Sequence, residues 1–124
     1  MSSFTRALLE PTGETREGRA VFRVVEPFTF EIGRLGSKLA ITVPAGFDTD
    51  LASIPALALR VGDAGALARS AVLHDFMRER LGYTKLTGDA IFLSAMEAEG
   101  TPAWLRWPAF LAVLANNSRA RATD

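Results

Sequence analysis

The sequence has no cysteine, which removes disulfides, thiolate zinc sites and cysteine nucleophiles and leaves folding to rest on packing alone. It has no excess of either charge. Fourteen basic side chains meet 14 acidic ones, so no summed field draws in nucleic acid or an anionic membrane. The basic residues are also scattered, with Arg16, Arg19, Arg23 and Arg34 early and Arg119 and Arg121 at the end, and no basic helix stripe forms. No apolar run approaches the ~18 residues that a membrane span needs. Met1-Ser-Ser-Phe-Thr-Arg lacks a charged segment followed by an apolar one, so a soluble protein without an export signal is expected.

What the sequence does have is apolar mass: 48% of its 124 residues are hydrophobic, enough for a real core. A single domain over 1–124 is expected, with 1–18 and 119–124 peripheral. Residues 1–18 mix Pro11, Gly13, Gly18 and charges, which suits a strand-edge start and a turn. From Ala20 to Ile32 the chain is β-branched and aromatic, and Phe28, Phe30 and Ile32 alternate with Thr29 and Glu31. Pro27 cannot donate to a ladder, so it marks a break, a bulge or an edge within that stretch. Gly33 to Ser37 supplies a turn, and Lys38 to Val43 returns as the second arm of a β-hairpin closed by Pro44.

After Pro55 the composition is helical. The expected elements are a short helix at Ala56–Arg60, a longer one at Ala64–Leu81 and a third at Thr87–Glu99 with Thr87 as N-cap and Gly100 as its stop. A last helix opens at Thr101-Pro102 and runs through Leu114, with Pro108 inside it as a source of a kink. The fold class expected is α+β: an N-terminal antiparallel β-hairpin or sheet packed against three to four C-terminal helices.

Chemistry concentrates in two places. The loop Pro44 to Pro55 carries Asp48, Thr49, Asp50 and Ser53, and Asp50 and Ser53 can each satisfy backbone N–H groups at a helix start or form a polar loop network. The only histidine, His74, stands beside Asp75 in mid-helix. Neighbours there point about 100° apart, so His74 shares a stripe with Leu67, Ala71 and Arg78 while Asp75 lies on the flank with Ala68, Val72 and Glu79. An imidazole can take a proton from water at working pH, provided that an acceptor orients its other nitrogen. Asp89 is the first candidate for that acceptor and Asp50 the second. The competing reading is structural: a lone histidine on an apolar helix face bonded to a loop, and Asp89 in a first turn gaining from the helix dipole. With one histidine and no cysteine, oxygen ligands would suit Ca²⁺ or Mg²⁺ better than zinc, though no cofactor is required.

The run Ile41-Thr42-Val43-Pro44-Ala45-Gly46-Phe47-Asp48-Thr49-Asp50-Leu51-Ala52-Ser53-Ile54-Pro55, then Ala71-Val72-Leu73-His74-Asp75, then Asp89-Ala90-Ile91-Phe92 resembles the phage-associated domain of unknown function 1353 over roughly residues 20 to 115. The resemblance implies a bacteriophage or prophage product, with no established activity. Where that family has an aromatic pair soon after the histidine-aspartate, this chain has Phe76-Met77-Arg78. A fainter similarity is to the small calcium-dependent secreted phospholipases, which would make His74 the base, Asp75 a Ca²⁺ ligand and Asp89 the orienter. Their glycine-rich calcium loop and disulfides have no counterpart here; the nearest loop is Ala45 to Asp50, with Asp48 as its further carboxylate.

Two functions follow as expectations. One is a virion component of tail, neck or capsid, or an assembly protein, present in the particle or the host cytoplasm and partnered by other phage proteins. The other is a small hydrolase of host envelope lipid or peptidoglycan in which His74 activates water. Ser53 and Ser70 lack a nucleophile-elbow motif. Trp104, Trp107 and Phe110 are candidate subunit contacts, although aromatics at helical spacing ordinarily face the core.

Overall fold

The computed structural model describes residues 3–4, 8–33, 39–51, 54 and 64–116. The expected Ala56–Arg60 helix, Ser53 and the 119–124 tail lie outside these. The described chain has an α+β arrangement, with strands β1 (Ser3–Phe4), β2 (Leu8–Arg16), β3 (Arg19–Glu26), β4 (Phe28–Glu31), β5 (Ala40–Val43) and β6 (Asp48–Thr49). A 3₁₀ turn at Ala64–Ala66 precedes α1 (Ala68–Glu79), α2 (Lys85–Glu99) and α3 (Ala103–Ala115).

The strands form two antiparallel three-stranded sheets, ordered β1-β4-β5 and β2-β3-β6. Pro27 sits between β3 and β4, and there the chain leaves one sheet for the other. The expected hairpin is the β4–β5 pair, with Phe28 opposite Val43 and Phe30 opposite Ile41. All four of these side chains are buried, while Thr29 and Thr42 join hydroxyls at 2.9 Å on the outer face.

The first segment is more regular than its composition suggests. β2 is nine residues long and pairs with β3 through the two-residue turn Glu17-Gly18, where both φ angles are positive (52° and 78°), the pattern of a type I′ hairpin. Pro11 and Gly13 fit because the register slips between Pro11 and Thr15, where Gly13 has φ 82°. Thr12 mends the bulge: its Oγ1 donates to Val21 O at 3.0 Å and accepts from Glu14 N–H at 3.1 Å.

Two apolar clusters form the core. Val24, Phe28, Phe30, Ile41, Val43 and Phe47 of the sheet side meet Val72, Leu73, Phe76 and Met77 of α1 and Ala95 of α2. Leu67, Ala71, Phe92, Met96, Leu105, Ala109 and Val113 make the second cluster among the helices, together with Ile54. Helix α1 serves both clusters, and Leu51 packs against both.

The helix ends differ from expectation in detail. The Ala64–Leu81 segment divides at Leu67, whose φ of −141° is not helical, and the helix proper ends at Glu79. Helix α2 starts a turn earlier than expected, because Thr84 adopts an extended backbone and its side chain accepts from Thr87 N–H; Thr84 is the N-cap and Thr87 the third helical residue. Gly100 stops α2 as expected, in a left-handed conformation (φ 84°), with Gly100 N–H bonded to Glu97 O and Thr101 N–H to Met96 O. Thr101 does not cap α3. Its hydroxyl donates instead to Ala66 O at 2.6 Å, and the extended Pro102 occupies the cap position.

Candidate functional site

The site lies between two antiparallel helices. On α1, His74 faces the same side as Leu67 and Ala71 and meets α2; its side chain is 11% exposed. Its Nε2 lies 2.7 Å from Asp89 Oδ1, and its ring centroid is 5.0 Å from that of Phe92, one turn further along α2. Asp89 is 1% exposed and its second oxygen, Oδ2, accepts from Lys85 Nζ at 2.5 Å. Lys85 is one turn before Asp89 on α2, and its ammonium also donates to Val113 O (2.6 Å) and Leu114 O (3.1 Å) at the end of α3. That terminus carries partial negative charge, so the lysine suits it. One cation thus ties the carboxylate that holds His74 to the last turn of α3.

The electrostatics of Asp89 are decided by two opposed effects. Burial, the larger single influence, pushes its carboxyl up; the hydrogen bonds from His74 and Lys85, with their charges, together pull it below its ordinary 3.8. An ionised Asp89 can only accept, so the imidazole carries its hydrogen on Nε2. Gly88 leaves room for Arg78 beside the site: a Cβ there would stand 3.2 Å from Cδ of Arg78, whose guanidinium donates to Tyr83 O at 2.8 Å.

Asp75 is enclosed on its flank of α1. It is 2% exposed, because α1 is covered on both sides, and its Oδ2 accepts from Thr49 Oγ1 at 2.5 Å. Thr49 Oγ1 in turn accepts from Leu51 N–H at 3.1 Å, holding Leu51 at φ 55°. Asp50 is buried next to Thr49. Asp48 projects from the other face of β6 and takes Arg23 in a two-pronged bond, Nε to Oδ1 at 2.8 Å and Nη2 to Oδ2 at 3.1 Å. That bond, with the guanidinium charge, outweighs burial and holds its carboxyl below 3.8. Asp48 and Asp75 therefore serve different partners, and no group of three or more His, Asp or Glu side chains among the described residues could hold a metal ion.

Three partners escape the sequence. Lys85 left a signal in its i,i+4 spacing to Asp89. Thr49 was visible as a polar residue of the loop, but nothing in the sequence pointed to Asp75 as its partner. Glu99 left none: from the last residue of α2 it accepts from Arg69 N–H and Ser70 N–H at 3.0 Å each and from Ser70 Oγ at 2.7 Å, capping α1, whose own N-cap Leu67 supplies no side-chain bond.

These features define an α+β protein with a part-buried histidine–aspartate–lysine network, centred on buried Asp89, between its first two helices. The chain belongs to the family described as "Protein of unknown function (DUF1353)", whose pattern matches residues 22–113. Comparison with curated proteins and with solved structures finds no match.

Proposed function

We propose that the chain is a structural or assembly component of a bacteriophage or prophage particle, and that α3 is a surface by which it meets a neighbouring subunit. One observation carries this. Trp104, Trp107, Leu111 and Leu114 lie on one line of α3 and are exposed, the tryptophans at 52% and 47%. The core expectation for these two aromatics is thereby corrected: α3 buries only Leu105, Ala109 and Val113, with Phe110 packed partly against them, and small Ala109 lets it sit close to α2. A contiguous apolar face of this kind marks a contact surface. The phage setting is supported by the loop and histidine-aspartate motifs. Mass spectrometry of purified particles should find the chain at fixed stoichiometry, and the double variant Trp104→Ser/Trp107→Ser should be lost from them. Particles that lack the wild-type chain would overturn the proposal.

A second reading, hydrolysis of an ester or amide of envelope lipid or peptidoglycan, is favoured by the 2.7 Å contact between His74 Nε2 and Asp89. Water would attack the carbonyl carbon, giving its proton to the imidazole, which returns it to the leaving oxygen or nitrogen. The check is release of product from phospholipid vesicles or peptidoglycan, with and without Ca²⁺. Activity should vanish in His74→Ala with the circular dichroism spectrum unchanged; no activity in the wild type sinks this reading.

A further inference from the structure

We infer that the neighbour seated on α3 is a second copy of this chain, packed antiparallel about a two-fold axis level with position 109 along the helix. The inference rests on α3 being a subunit contact, as proposed above, and names the partner.

The pattern of the face is self-complementary. Its large residues follow a 3-4-3 spacing, Trp104, Trp107, Leu111 and Leu114, which is the seam of a two-helix coil. The seam is symmetric in sequence about position 109. An antiparallel partner therefore sets Trp104 against Leu114 and Trp107 against Leu111 of the other copy, large against small, where a parallel partner would stack tryptophan on tryptophan. Ala103 and Ala115 are exposed on either side of this seam and small enough to allow close approach. Antiparallel helix dipoles favour the same arrangement.

Charge points the same way. Arg106 is the only charged residue in α3, and its guanidinium donates to Thr101 O in its own chain at 3.2 Å. The seam thus has nothing to grip a charged protein, a nucleic acid or an anionic lipid headgroup, and nothing to repel its own copy. Covering the half-exposed tryptophans and leucines of both copies buries on the order of 1,000 Å², the lower bound for a specific interface. An interface at that bound suits a weak, reversible dimer rather than a permanent one.

Sedimentation of the full chain over a concentration series from the micromolar range upward tests this. The expected result is a monomer–dimer equilibrium, weakened more than tenfold in Trp107→Glu and in Leu111→Lys, both with unchanged circular dichroism because these side chains are exposed. The register gives a sharper arm. Mixing the two variants should restore dimer, since Glu at 107 of one copy would face Lys at 111 of the other; failure to restore it overturns the antiparallel pairing. A chain that stays monomeric throughout, or a dimer that neither variant weakens, overturns the inference. So does a monomer that binds phosphatidylcholine vesicles through this face. The two readings fail separately: a dimer absent from particles sinks only the assembly role, and a monomer present in particles sinks only the self-pairing.

Discussion

Asp89 holds its place through two donors, and its sensitivity to pH follows. Its carboxyl is depressed in the folded chain, so the stability it contributes is fully present above an unfolded value of about 4 and is lost as pH falls through the lower folded value. Urea midpoints measured from pH 6 down to pH 3 should therefore decline more steeply in the wild type than in Asp89→Asn. Equal slopes would show that the network adds nothing in acid. Asp89→Ala removes the carboxylate that His74 and Lys85 share and should cost about 3 kcal/mol at neutral pH. Glu99 is a different case, a carboxylate 4% exposed that caps a helix from another helix. Glu99→Ala should destabilise by about 2–3 kcal/mol in denaturant titration, and Glu99→Gln by less, since the amide oxygen can still accept one of those bonds.

Among the elements, the β2–β3 hairpin shows how local chemistry is settled by conformation. Glu17 holds φ 52° at the first turn position, a region that disfavours most side chains, and its contact with Arg19 is a long, exposed 3.9 Å pair of little worth. Glu17→Asn, which matches the Asn-Gly preference of this turn, should raise the thermal midpoint, corresponding to about 0.5–1 kcal/mol. No gain would mean that the turn is not of this type in solution. At the end of α2, Gly100 has φ 84° with open space where a Cβ would stand, so Gly100→Ala should cost about 1 kcal/mol from backbone strain alone.

For the molecule as a whole, two apolar clusters share α1, α2 and Leu51. Neither can be emptied without exposing the flank of the other. Far-ultraviolet and tryptophan-fluorescence transitions in urea should therefore coincide, although both tryptophans belong to α3 alone. Separate transitions would divide the helical layer from the sheet and refute a single folding unit. Phe92→Ala, which opens the helical cluster beside His74, should lower both transitions together, by about 3–5 kcal/mol.

Period and punctuation were enough to read a strand over the Phe28-to-Ile32 alternation and a returning one ending at Val43, an interruption of some kind at Pro27, the stop at Gly100 and the α+β class, because hydrophobic alternation and turn residues act within a few positions of themselves. The pairing of His74 with Asp89 was legible as a candidate, since one short connection between antiparallel helices brings them level. Three matters were decided only by tertiary structure. Asp75 became a buried acceptor of Thr49 because α1 is covered on two sides, which a single helix's periodicity does not reveal. Glu99 became the cap of α1 because the end of α2 lies against its beginning, a relation between residues about 30 apart. The tryptophans turned outward because α3 has a described core on one side only, and burial is a property of neighbours rather than of the residue itself.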